Sequence, residues 1–473
     1  MLIRKIGTGI LFVLGFLNAE AQYISQVMEY YPAPGQYINS SPWGDAGSAT
    51  SIIGGVNGTL CLGAFGGTVV FGFENPVENH PDNPFGVDFT IFGNPLPDWS
   101  EPGVVWVMKD ENGNGQPDET WYQLAGSDYH FSSTIHNYQV SYIDPGGTEA
   151  MDVSWHDHLG NQGFIKANSA HTQAYYPQPG LFPNVPSEEY MLTGTLIRGA
   201  VDVEHPPVNV SLLRAFGYAD NQVRGSGPHI VPDNPYTPEV EHSGGDAFDI
   251  SWAVDDEGNS VVLDQIHFVK VQNGLLHQGG WLGEVSTEIT GAVDVVPDPG
   301  LSGNLDLLVI SDLPSELDTA AWQLELFLFH MGKPVPLPEV NWTTSEQWAV
   351  VDENHQLRLT GTGALTLSAT VIGNPLLQAS VSTLVTPGVT TALVTGRMVE
   401  EISLYPNPAR ESFAISGVDY VNLTLYDLSG KAIRQVKSYQ SDNEIEIPDL
   451  HPGIYLVRIG DRQSGLWLKL LKQ

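Results

Sequence analysis

Residues 110–119 read DENGNGQPDE, and their spacing suits the capture of a hard cation. Asp110, Asn112, Asn114 and Asp118 put oxygen side chains at the first, third, fifth and ninth positions, with Gly115 at the sixth. Calcium takes six to eight oxygens, so a tight loop turning these groups inward, helped by the Gln116 carbonyl, would hold it. An EF-hand would require flanking helices and a glutamate at the twelfth position, which here is Trp121. Both flanks alternate like strands, so the expectation is a calcium loop closing a β-hairpin. A plain polar hairpin turn uses the same residue types and is the simpler reading.

Asp246, Asp249, Glu284 and Glu288 lie in or beside apolar strand-like stretches, where an unpaired charge is costly. They are a candidate second cation site. His156 and His158, two apart, would share a face on a strand, but residues 157–160 (DHLG) read as a turn, which favours two solvent-facing rings. Cys61 has small or apolar neighbours, Leu60, Leu62 and Ala64, and is expected to be a buried, inert thiol. Trp99, Trp106, Trp121, Tyr122, Trp155 and Trp252 could stack on a flat ligand, although most such rings fill cores. No serine-hydrolase elbow, phosphate loop or zinc-protease helix occurs, so no catalytic residue is assigned. Carboxylates are abundant enough to conceal a glycosidase pair.

The elements that must position these residues are strands. The chain has 473 residues, with 50 glycines, 33 prolines and few charges, and no segment keeps a helical period. Strand-like stretches such as 68–73, 87–93, 103–109, 247–254 and 264–272 are separated by Gly, Pro, Asn and Asp clusters. Aromatic residues on both strand faces favour two packed sheets. The proline-rich run 175–186 is expected to be a surface loop. From residue 22 to 295 there are 34 acidic and 6 basic residues, a balance of −28; from residue 400 onward, 10 and 8, a balance of −2. So acidic a body repels nucleic acid and anionic lipid, and cations are its natural counter-charge.

Arg4 and Lys5 precede an apolar run ending near Leu17, and Ala19-Glu20-Ala21 offers a cleavage site, so residues 1–21 are expected to be a signal peptide. No later apolar run is long enough for a membrane-spanning helix. The lone cysteine admits no intrachain disulfide.

Near the C-terminus, LYPNPA (residues 404–409), NLTLYDLSGK (422–431) and PGIYLVRI (452–459) occur in order, with turns expected at Ser429-Gly430 and Pro452-Gly453. These motifs resemble the sorting domain of Bacteroidota type IX secretion cargo, with Tyr405, Pro406, Asn407 and Pro408 as its sorting motif. The resemblance implies recognition by the type IX machinery, passage through the periplasm, and an extracellular or outer-membrane-surface destination. Residues 340–385 resemble a bacterial immunoglobulin-like domain. FGVDFTIFGNP, SEPGVVWVMKDENGNGQPDETWYQLAGSDY and GGDAFDISWAVDDEGNSVVLDQIHFVKVQ resemble a group of Bacteroidota secreted or surface proteins. Some relatives accompany vitamin B12 uptake systems, which implies an accessory role in corrinoid capture.

The expected organisation is all-β. A jelly-roll-like sandwich spans 22–297, an immunoglobulin-like sandwich 300–387, a linker 388–401, and a small sorting sandwich 402–473. The expected function is a non-catalytic, calcium-stabilised binding or adhesion protein with an unidentified glycan, small-molecule or protein ligand at the surface. The rivals are a secreted carbohydrate-active hydrolase and the corrinoid role.

Overall fold

The computed structural model describes residues 22–386 and 403–472, except 97–98, 198–200, 203–209, 212, 280–282, 315, 318–319, 407–408, 417–418, 427–431, 452 and 462–463. The signal-peptide segment, the whole linker, Asn407, Pro408, the Ser429-Gly430 turn and Pro452 lie outside the described residues. The chain divides into two compact units, residues 1–386 and 387–473. The expected all-β class holds: the described residues form strands and three short 3-10 turns.

In the first unit, strands Gln26–Tyr31, Thr68–Glu78, Gln265–Asn273, Gly103–Met108, Tyr122–Leu124 and Ala253–Val254 make a six-stranded antiparallel sheet in that order. Alternation sends Val69, Phe71, Val105, Val107, Val269 and Val271 to one face, where they meet Phe89, Ile91, Phe248 and Ala292 of the sheet Asp246–Phe248, Phe89–Phe92 and Gly291–Asp294. A second core lies under the sheet Glu189–Leu196, Ile135–Ile143, Val153–Asp157 and Gln162–Ile165. Phe65, Tyr138, Tyr142 and Tyr190 fill it.

Two stretches differ from expectation. The apolar run 247–254 is broken by a 3-10 turn at Ile250–Trp252, because Asp249 Oδ1 accepts the Ser251 N–H at 2.7 Å and caps a bend. The run 175–186 is strand-free, as its prolines require, yet Tyr175, Tyr176 and Phe182 are buried. Their rings, not the backbone, are what the core uses.

Residues 306–385 form further sheets, including Glu316–Leu317, Asn374–Val385, Gly363–Val371 and Val340–Thr344, around Leu317, Leu357, Leu365 and Leu367. They share an apolar joint with the preceding sheets. Phe329 meets Phe216 edge-on at 5.1 Å, and Trp252 Nε1 donates to the Met331 carbonyl at 3.0 Å. Beside this joint the Arg214 side chain, 2% exposed, pairs with Asp128 at 2.8 Å and also with Asp312.

The second unit packs Phe413, Ile415, Leu423, Leu425, Ile447, Val457 and Leu470 between two small sheets. Tyr405 is exposed, and its hydroxyl donates to Asp442 at 2.7 Å.

Removing Arg214 leaves two carboxylates at the joint without their counter-charge, which costs about 3–5 kcal/mol for a buried pair. Arg214→Gln is therefore expected to lower the urea midpoint of the first unit markedly, and an unchanged midpoint would show that the pairing contributes nothing.

Candidate functional sites: an oxygen-rich hairpin and a carboxylate floor

The hairpin between Gly103–Met108 and Tyr122–Leu124 carries residues 110–119 at its end. Its base is tied to the neighbouring strand, since Asp110 N–H donates to His267 Nδ1 at 3.1 Å and Lys109 pairs with Asp264 at 2.6 Å. Asp110 then gathers the loop: Oδ1 accepts from Gly113 N at 2.7 Å and Asn114 N at 3.2 Å, and Oδ2 from Gly115 N at 2.8 Å. These donors, Gly115 foremost, hold the Asp110 carboxyl below its ordinary range. Gly113 and Gly115 sit at φ +71° and +69°, a region that disfavours side chains. Asp118 receives Asn112 Nδ2 at 3.2 Å and Asn114 Nδ2 at 3.0 Å.

Four of the five expected ligands, Asp110, Asn112, Asn114 and Asp118, are thus drawn together, while Gln116 joins through its N–H to Asn114 Oδ1 at 2.7 Å. The sequence reading missed Glu119. Its Oε1 accepts from Asn112 N at 3.2 Å, and its Oε2 is buried without a hydrogen-bond partner. A carboxylate at the tenth position, one beyond Asp118, was the signal available. Among the described residues no three His, Cys, Asp or Glu side chains are arranged to hold a metal unaided, so an ion here would rest on asparagine oxygens too. The two amide oxygens already accept from Asn114 N at 2.9 Å and Gln116 N at 2.7 Å, while the amide nitrogens face Asp118.

Beyond the loop, Trp121 lies 4.6 Å from Lys270 Nζ, and Trp106 flanks the same ammonium at 4.8 Å. Burial pushes the Lys270 ammonium down to about 8. The loop is thereby coupled to the sheet through an aromatic clamp.

Asp246, Asp249, Glu284 and Glu288 do not form one site. Asp246 accepts from Asn221 N at 3.0 Å and Gln222 N at 2.9 Å, and burial pushes it up to about 8. Asp249 caps its turn and is raised to about 6 by burial. It also bears electrostatically on Asp88, which accepts from Asn83 Nδ2 and Ile250 N, each at 2.7 Å. Glu284 Oε1 accepts from Gln36 N at 2.6 Å, Oε2 is buried without a partner, and burial pushes the carboxyl up to about 8. Asp246, Asp249 and Glu284 each answer to backbone N–H groups and Glu288 to side chains, so the four are not drawn together as one cation site.

Glu288 belongs to a different set. Its carboxylate takes the Cys61 thiol at 2.8 Å, and its N–H donates to Asp220 Oδ2 at 2.7 Å, while Asn94 N fills Asp220 Oδ1 at 2.8 Å. Burial, then the Glu288 charge, raises Glu101; burial, then Glu101, raises Asp220. Cys61 is buried and its thiol is pushed up by burial and Glu288, so it is inert as expected. Half-buried Tyr37 feels the charges of Glu288, Cys61, Glu284 and Glu101. Its ring lies 5.6 Å from Trp43 and 4.7 Å from His171. None of these three rings was singled out by sequence; only the fold sets Tyr37 and Trp43 against His171.

Of the aromatic candidates, Trp252 is core, and half-buried Trp99 donates to Glu101. His156 is exposed on its strand and meets Glu189 at 3.1 Å, and His158 is exposed in the following turn, so the two rings face solvent as expected.

The chain is thus an all-β protein whose second unit is a small two-sheet domain. Residues 403–473 match the family model of the secretion system C-terminal sorting domain, a type IX export tail, so the protein is directed to the cell surface or the extracellular space. No helix among the described residues is long and apolar enough to cross a membrane. No curated protein matches the chain. Similar solved structures include a titin immunoglobulin tandem, at 13% identity over 35% of this chain and 96% of that one, TM-score 0.14. The Yersinia pseudotuberculosis adhesin InvE shows 11% identity over 36% and 58%, TM-score 0.14. Dimeric latent PorU from Porphyromonas gingivalis shows 12% identity over 71% and 29%, TM-score 0.13. At such TM-scores these likenesses carry no functional argument.

Asp246 and Glu284 near 8 bind protons in the fold that the unfolded chain, with ordinary carboxyls near about 4, releases. Between those values the folded state holds more protons, so stability falls as pH rises. Melting temperature is expected to be higher at pH 5.5 than at pH 8.5, and Asp246→Asn to flatten the decline; a profile rising toward pH 8.5 would contradict the buried-acid account.

Proposed function

We propose that this protein is a non-catalytic surface or secreted binding protein, its first unit stabilised by calcium at the 110–119 loop. The observation that carries the binding role is the loop cluster around Tyr37, Trp43 and His171. It presents partly exposed rings beside buried carboxylates, on rigid sheets, in a chain addressed to the cell exterior. Exposed rings backed by fixed acceptors recognise ligands by stacking and hydrogen bonding. The calcium role rests on the convergence of Asp110, Asn112, Asn114 and Asp118, with Glu119 Oε2 unpartnered. Its effect would be structural, stiffening the hairpin that sets Trp121 on Lys270.

Calcium is expected to raise the melting temperature by a few degrees, and a chelator to reverse it, because a ligand binding only the folded state stabilises it by mass action. The Trp121 fluorescence should shift in parallel. Asp118→Asn should abolish both responses, and its calcium-free melt, lowered slightly by the lost amide bond, is the baseline against which they are read. No response to calcium, with none found by elemental analysis, refutes the metal.

The rival reading is hydrolysis, although burial raises both Glu101 and Glu288 whereas a glycosidase pair needs one raised acid beside one ionised carboxylate. A glycan array and a glycosidase screen on the full chain separate the readings. Binding without turnover is expected, and turnover lost in Glu288→Gln would replace the binding role by catalysis. Cobalamin in the same screen tests the corrinoid role through its visible spectrum.

A further inference from the structure

Strand Gln26–Tyr31 is the outer strand of the six-stranded sheet and pairs on one side only, with Thr68–Glu78. The hydrogen bonds around it fix which of its backbone groups face away. Asn273 N donates to Gly67 O at 3.0 Å, and Ser25 N to Gly72 O at 3.0 Å. Alternation along an antiparallel ladder then turns Val69 and Phe71 toward Gln265–Asn273, and Thr68, Val70 and Gly72 toward Gln26–Tyr31. Glu29 opposite Val70 and Tyr31 opposite Thr68 therefore carry the pairing. The N–H and C=O of Tyr30 point out of the edge, and no described residue takes them up. The open stretch is short. The register shifts between Val27 and Glu29, and Pro32 has no N–H and gives its carbonyl to the Tyr190 hydroxyl at 2.9 Å. Such features stop an edge from pairing without limit. At Tyr30 the edge borders a cavity of about 290 Å³, walled by Ala46, Ala49, Leu181, Phe182 and Val185 as well as by the strand itself. Phe182 meets the Tyr30 ring edge-on at 5.6 Å, so this wall stands on the face to which Tyr30 points.

The two outward groups of Tyr30 are matched by the N–H and C=O of one residue in an extended chain. A lone amide does not match them, because its N–H and C=O point opposite ways across a planar bond. Side chains directly opposite in such a pair share a face, so the matching residue sets its side chain on the apolar Phe182 side. Its neighbour falls beside Glu29, an exposed carboxylate in a stretch with 34 acids against 6 bases, which selects a basic residue.

We propose that this edge binds an extended peptide by strand addition at Tyr30, with an apolar residue seated against Phe182 and a basic residue beside Glu29. The site goes beyond the binding role above and does not rest on the ring cluster.

The test is calorimetric titration of the full chain with an acetylated, amidated pentapeptide of alternating lysine and valine, with hydrogen exchange followed in parallel. The peptide is expected to bind and to slow exchange across residues 26–31. A copy methylated on its valine nitrogens keeps the side chains but loses the donors, and should bind about tenfold or more weakly. A copy with glutamate in place of lysine should bind about threefold or more weakly. Ala46→Trp fills the cavity from an exposed position and should abolish binding. No binding, equal binding of either altered copy, full binding by Ala46→Trp, or unchanged exchange at residues 26–31 each overturns the proposal. So does dimerisation of the full chain in sedimentation that Ala46→Trp abolishes and the peptide leaves untouched, since the edge would then serve a second copy.

Discussion

The interaction on which the first unit depends is the hydrogen bond from backbone N–H to carboxylate. Residues 22–295 carry 34 acids against 6 bases, so ion pairing cannot neutralise the acids that enter the interior. The fold turns main-chain donors toward them instead. Asp110, Asp157, Asp255 and Asp352 each collect N–H groups of a following turn, and Asp220 and Asp246 do the same from inside. Where donors suffice near the surface, as at Asp110 and Asp255, the carboxyl stays below its ordinary range; where burial outweighs them, as at Asp246, it rises. One device therefore both shapes hairpins and creates a proton-loaded interior.

Among the described residues the exceptions are Glu119, Asp233 and Glu284, each of which retains a buried oxygen that no donor reaches. Glu119 lies in a loop whose asparagine and aspartate side chains already converge. The same logic explains Arg214, the buried base of the first unit, which meets Asp128 and Asp312 at the joint between successive sheets. A charge placed there ties two sandwiches together through geometry that an apolar contact alone would leave free to slide.

The sorting unit stands apart chemically. It is nearly neutral, with 10 acidic and 8 basic residues from 400 onward, and its core is aliphatic packing around Phe413 and Tyr439. Tyr405 is exposed, with its hydroxyl on Asp442, on a strand paired with Ser412–Ser416.

The all-β class, the export tail and the 110–119 loop were legible from residues alone, because alternation, turn residues and ligand spacing are local properties written within about ten positions. The loop's glycines and its carboxylate at 118 determined its shape before any long-range contact. The second carboxylate set was misread for the opposite reason. Glu288 meets Cys61 across 227 positions, and Glu284 meets Gln36 across 248. Which acid faces which donor is settled when distant strands pair, and strand pairing in a sandwich is not encoded by spacing along the chain. The same holds for Tyr37, Trp43 and His171: each is an ordinary loop residue until two distant loops close on one another.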